Sequence, residues 1–92
     1  MVIGIVMVKS SLGQERSVYH GLKDLEGVKN IYHTFGEYDF FLIAQMKDLT
    51  GLFGLIKKIK EMSMVLRVET VLIGKDDGLQ YHGPDKPAIA AA

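Results

Sequence analysis

The chain has 92 residues, with 11 basic and 11 acidic side chains, a formal net charge of zero and no cysteine. One domain is expected at this length. Disulfides and thiolate metal sites are excluded, and the balanced charge argues against a nucleic-acid binder, which usually carries a basic patch or excess. The only basic cluster, Lys57, Lys58 and Lys60, is followed at once by Glu61 and reads as a solvated helix face. No apolar run is long enough to span a membrane. Residues 2–8 are apolar, but no basic region precedes them and no cleavage signal follows, so a signal peptide is not expected. A cysteine-free chain of this kind fits the cytoplasm. A domain this small buries only about 60–65% of the surface its unfolded chain exposes. The hydrophobic content of 48% is ample for such a core and favours self-association.

Residues 2–8, Val2-Ile3-Gly4-Ile5-Val6-Met7-Val8, form a β-branched apolar run that predicts a strand. Ile3, Ile5 and Met7 fall on one face and Val2, Val6 and Val8 on the other. Both faces therefore need cover. A loop at residues 10–13 precedes a helix starting near Gln14. Its stripe is Val18, Leu22 and Leu25, its first turn holds Glu15, and Gly27 suits a left-handed C-cap. Gly21, unfavourable in a helix by roughly 1 kcal/mol against alanine, suggests close packing on the sheet. Residues 28–35 form the second strand, with Val28, Tyr32 and Thr34 on one face and Ile31, His33 and Phe35 on the other. Residues 39–46 form the third, again apolar on both faces. Asp48 suits the N-cap of a second helix, whose expected stripe is Leu49, Leu52, Ile56 and Ile59. Residues 65–73 form the fourth strand. Leu66, Val68, Thr70 and Leu72 face one way; Arg67 and Glu69 share the other face with Val65, Val71 and Ile73. From Gly74 the composition shifts to Gly, Asp, Pro and Ala, which predicts a flexible tail over residues 75–92 after a domain over 1–74.

The order β-α-β-β-α-β is the ferredoxin-like α+β arrangement: a four-stranded antiparallel sheet with two helices on one face. The open face then carries apolar side chains, and a patch of that kind marks an interaction surface. Packing of one sheet on a second copy, as a dimeric α/β sandwich, is the simplest cover.

Residues 34–42, Thr34-Phe35-Gly36-Glu37-Tyr38-Asp39-Phe40-Phe41-Leu42, read as strand, tight turn and strand, the turn being expected to join two central strands. Where one known family shows a "GxVxxxYxxTGxYD" pattern, this chain gives Gly27-Val28, Tyr32, Phe35-Gly36 and Tyr38-Asp39. In this the chain resembles the ligand-sensing RAM domain (regulation of amino-acid metabolism) of the Lrp/AsnC transcription regulators, over about residues 1–74. The fourth strand of that family often carries alternating threonines; here only Thr70 matches. The chain opens on its first strand, so the resemblance implies a stand-alone RAM domain without a helix-turn-helix and without direct DNA binding. It further implies homodimers through the sheet faces, higher rings such as octamers, an amino-acid effector near the turn at contacts between dimers, and mixed assembly with full-length Lrp/AsnC regulators.

A free amino acid needs acceptors for a carboxylate and an ammonium, and a side-chain pocket. Backbone N–H groups around Gly36 suit the carboxylate, and Asp39 suits the ammonium. Tyr32, Thr34, Glu37, Tyr38 and Thr70 are the remaining candidates. The bland alternative is that Gly36 supplies a positive φ, Glu37 is solvated, and Asp39 only holds the turn. His20, His33 and His82 lack metal-ligand spacing, and neither a metal nor a cofactor is expected. Methionines read as core or interface filling. The competing function is a small dimeric ferredoxin-like enzyme, of monooxygenase or isomerase type, acting in an intra-subunit cleft with His33, Tyr32 or Glu69. No nucleophile–base pair stands at a telling spacing, so no catalytic residue is assigned. An ACT-like regulatory module, which shares the topology and also binds amino acids, is a third reading, and a pure assembly partner that mixes with full-length Lrp-type regulators is a fourth.

Overall fold

A computed structural model of the protein describes residues 1–75. The expected tail lies outside the described residues beyond Lys75. The elements are β1 (Val2–Ser10), α1 (Glu15–Lys23), β2 (Val28–His33), β3 (Phe40–Met46), α2 (Leu49–Lys60) and β4 (Val65–Lys75). The strands form one sheet in the order β2-β3-β1-β4, with every neighbouring pair antiparallel. This is the ferredoxin-like α+β fold expected from the element order. Because β2 lies at an edge, the 34–39 turn joins an edge strand to a central one, not two central strands.

Alternation builds the sheet. Along β1, Val2, Gly4, Val6, Val8 and Ser10 are buried, while Ile3, Ile5, Met7 and Lys9 between them are half-buried. In β3, Phe40, Leu42 and Ala44 are buried and Phe41, Ile43 and Gln45 are half-buried. The buried set joins Val18 and Leu22 of α1 and Leu52, Leu55 and Ile59 of α2 in one core cluster. Both helices thus cover the same face. Complete burial of each large aliphatic side chain there is worth roughly 1.5–3 kcal/mol.

The second helix is rotated from the expected stripe. Its buried residues are Leu52, Leu55 and Ile59, Ile56 is only partly covered, and Leu49 is exposed. Asp48 is the N-cap, accepting a hydrogen bond from the Gly51 N–H at 2.8 Å. This leaves Leu49 in the first turn, outside the buried set. Helix α1 ends at Lys23, with Asp24 at its C-cap. Gly27 therefore serves the following turn instead, with φ +99° and no room for a Cβ against Met46 and the Gln45 carbonyl. Gly21 meets the methyl end of Met62, in the link from α2 to β4, where the sequence suggested the sheet.

Register shifts in β2 and at both ends of the β1–β4 pairing reset side-chain parity. In β2 a register shift between Val28 and Asn30 pairs Val28 with Ala44 and Ile31 with Leu42. Val28 therefore shares the helix-side face with Ile31, contrary to simple alternation, while Tyr32, opposite Phe41, lies on the open face. A bulge makes this exchange because one extra residue inverts the order of faces. In β4, Val68, Thr70 and Leu72 pair with Val8, Val6 and Gly4 on the helix side. A second shift, between Lys9 and Ser10, separates Leu66 from that row and leaves it 58% exposed.

The open face is therefore a row structure. Tyr32, Phe41, Met7 and Glu69 lie in one cross-strand row, and Asn30, Ile43, Ile5 and Val71 in the next. Its centre is apolar, and Lys9, Arg67 and Glu69 fence the corner nearest the turn.

Candidate functional site

The turn over residues 34–39 is closed from within. The Thr34 N–H donates to the Asp39 carbonyl at 2.8 Å, and Thr34 Oγ1 donates to the Tyr38 carbonyl at 2.7 Å. Between them Gly36 stands exposed with φ +127°, and nothing lies within 4 Å of where a Cβ would sit. The glycine is required by backbone conformation, since L side chains are strained at such a φ. Its main-chain groups remain open to approach.

Longer contacts then fasten the turn to β1 and β4. The Asp39 N–H donates to the Val8 carbonyl at 2.9 Å. Asp39 Oδ2 accepts hydrogen bonds from the Ser10 N–H at 2.8 Å and from Ser10 Oγ at 3.0 Å. Ser10 is buried and Asp39 half-buried, so this carboxylate is a clasp inside the fold. Lys9 Nζ donates to the Glu37 carbonyl at 3.1 Å. Arg67 Nη1 donates to Glu37 Oε2 at 3.2 Å, and Arg67 Nη2 lies 3.7 Å from Glu69 Oε2. The Arg67 guanidinium also sits 5.7 Å from the centre of the Tyr38 ring, within the range of a cation–π contact. Glu37 is thus paired, not merely solvated.

The candidates separate accordingly. Thr34, Gly36, Glu37, Tyr38 and Asp39 are held together in the turn. Tyr32 lies just before it on the open face, 52% exposed and 6.1 Å from the Phe41 ring. Thr70 does not join them within one chain: it pairs with Val6 on the helix-covered side of the sheet. Two residues that the turn sequence did not suggest, Lys9 and Arg67, are brought there by the register of β1 with β4. The signal for Arg67 was present as a polar pair, Arg67 and Glu69, sharing one face of an otherwise apolar strand.

The enzyme reading asks for an intra-subunit cleft with titratable groups. An open cleft of about 400 Å³ does lie between α1 and the α2–β4 link, but Ser17, Val18, Met62, Ser63 and Met64 line it. His33 is exposed at the β2 edge instead, against Phe40 at 5.2 Å and Phe35 at 5.5 Å. Among the described residues, no group of three or more His, Asp or Glu could hold a metal ion, and no helix is long and apolar enough to cross a membrane.

The comparisons agree with this fold. Residues 3–76 match the family described as Lrp/AsnC ligand binding domain. No curated protein sequence matches significantly. Among solved structures, FFRP-DM1 is 29% identical with a TM-score of 0.75; the match covers 78% of this chain and 97% of that one. AsnC of E. coli is 22% identical with a TM-score of 0.73, over 88% of this chain and 56% of that one. A transcriptional regulator of Neisseria meningitidis, solved as a complex with L-Met, is 15% identical with a TM-score of 0.70, over 94% of this chain and 56% of that one. At those identities the last two speak for the fold alone. With the family match spanning nearly all described residues, the chain belongs to the Lrp/AsnC ligand binding domain family.

Proposed function

We propose that this protein is a sensor domain that binds an amino acid at the 34–39 turn and assembles through its open sheet face. The observation that carries the reading is the coincidence of the two surfaces. The apolar centre of the open face, with Ile3, Ile5, Met7, Phe41 and Ile43, ends at the clamped turn. A second copy packed on that face brings the turn to a subunit boundary, where a ligand meets groups from more than one chain. The family supports ligand sensing as the role, and the L-Met complex of the Neisseria regulator makes an amino acid the effector class to test first.

In this reading the chain forms homodimers and higher rings such as octamers. It acts in the cytoplasm by joining or modulating full-length Lrp/AsnC regulators, not by reading DNA itself. It performs no chemistry on its ligand.

Light scattering coupled to size exclusion, together with calorimetry against the twenty amino acids, tests both halves. A dimer or larger ring, with heat from at least one amino acid at millimolar concentration, is the expected result. A monomer at all concentrations, with no heat from any of them, sinks the proposal.

A further inference from the structure

We propose that Arg67 is the carboxylate receptor of the site, and that Glu37 with Glu69 receives the ammonium of the same zwitterionic ligand. This rests on the reading above that the turn holds an amino acid, and it reassigns the charged contacts from the turn's own sequence to the corner where β4 meets it.

The reassignment starts from Asp39. Its Oδ2 already accepts two hydrogen bonds from the buried Ser10, so it serves the fold, and the ammonium has better acceptors elsewhere. Glu37 and Glu69 are both exposed, and both lie against the Arg67 guanidinium, at 3.2 and 3.7 Å. The Tyr38 ring lies on a third side of the same guanidinium. The planar guanidinium fork suits a two-point grip on a carboxylate. Its present pairs are more than half exposed and so are weak in water. A ligand carboxylate can therefore take the place of Glu37 on Nη1 at little cost to the fold.

Charge balance selects the ligand class. Lys9 and Arg67 supply two positive charges, and Glu37 and Glu69 two negative ones. A zwitterion entering between Arg67 and Glu37 exchanges one ion pair for two and leaves the net charge unchanged. A simple carboxylate would take Arg67 and leave Glu37 without its partner. A simple amine would do the reverse. Either mismatch is costly once a second copy covers the open face and water withdraws.

Calorimetry on the wild-type assembly and on Arg67→Gln, with each of the twenty amino acids, tests the assignment. For every amino acid that binds, its carboxamide is titrated as well. Arg67→Gln is expected to weaken binding at least tenfold, with part of the loss recovered in Arg67→Lys. Wild type is expected to prefer the free acid over the carboxamide at least tenfold, and Arg67→Gln to bind the two alike. Glu37→Gln is expected to weaken the amino acid while sparing its des-amino acid. Arg67 is more than half exposed, so circular dichroism should match wild type. Should Arg67→Gln lose its fold, Arg67→Lys and Glu37→Gln carry the same comparison. Equal binding by wild type and Arg67→Gln, or an unchanged preference for the acid, overturns the assignment while an amino acid still binds. Absence of binding to wild type by all twenty overturns the assignment together with the sensor reading.

Discussion

Asp39 and Ser10 are 29 residues apart, yet one carboxylate oxygen of Asp39 receives both hydrogen-bond donors of Ser10, the backbone N–H at 2.8 Å and Oγ at 3.0 Å. The pair ties the end of β1 to the start of β3 at the point where the candidate turn leaves the sheet. Removing the carboxylate leaves a buried backbone donor without its acceptor, which costs about 1–3 kcal/mol. Asp39→Ala is therefore expected to lower stability by about 2 kcal/mol. Ser10→Ala, which keeps the backbone hydrogen bond, should lose only about 1 kcal/mol. Urea unfolding of the two variants beside wild type measures the difference, and equal losses would contradict the division of labour.

Two glycines make opposite predictions from the same substitution. Gly36 stands at φ +127° in open space, so Gly36→Ala meets no clash and its whole cost is backbone strain, about 1–3 kcal/mol. Gly54 lies within α2, and its added Cβ also meets nothing. Gly54→Ala should therefore stabilise by about 1 kcal/mol through helix propensity. Thermal unfolding should move down for the first and up for the second.

The open face makes a prediction about assembly and not about folding. Ile5 faces Ile43 on one side and Val71 on the other, in the middle of that face. A charge at this position leaves the helix-side core intact but cannot be buried unpaired against a second sheet without a cost of several kcal/mol. Ile5→Glu is expected to elute as a folded monomer, with unchanged far-ultraviolet circular dichroism. An oligomer of wild-type size would show that assembly uses another surface.

Neighbours in α2 separate core from surface. Leu52 is completely buried, whereas Phe53 is 57% exposed. Leu52→Ala should destabilise by about 2–5 kcal/mol, and Phe53→Ala by no more than about 0.5 kcal/mol. Denaturant midpoints of the two purified variants check the contrast. A large loss at Phe53 would mean that an assembly contact covers it.

Local rules read much of this chain correctly because the signals they use are short-range. The two-faced apolar run of β1 follows from neighbouring residues. So do the N-cap at Asp48 and the positive φ demanded at Gly36. The family pattern lies in the same window, from Gly27 to Asp39. The rotation of α2 escaped these rules, because Leu49 and Leu55 are both plausible stripe residues and only packing on the sheet chooses Leu55.

By itself, then, the amino-acid sequence determined the order of strands and helices, the turn at Gly36, the uncovered apolar sheet face and the family. Tertiary structure alone decided which chemistry surrounds the turn. Side-chain parity propagates along a strand only until a bulge, so the shift in β2 moved Val28 to the helix side. The pairing of β1 with β4 placed Thr70 under the helices and brought Lys9 and Arg67 to the open corner. Contacts such as Arg67 to Glu37, 30 residues apart, arise from strand register, which no short stretch of sequence encodes.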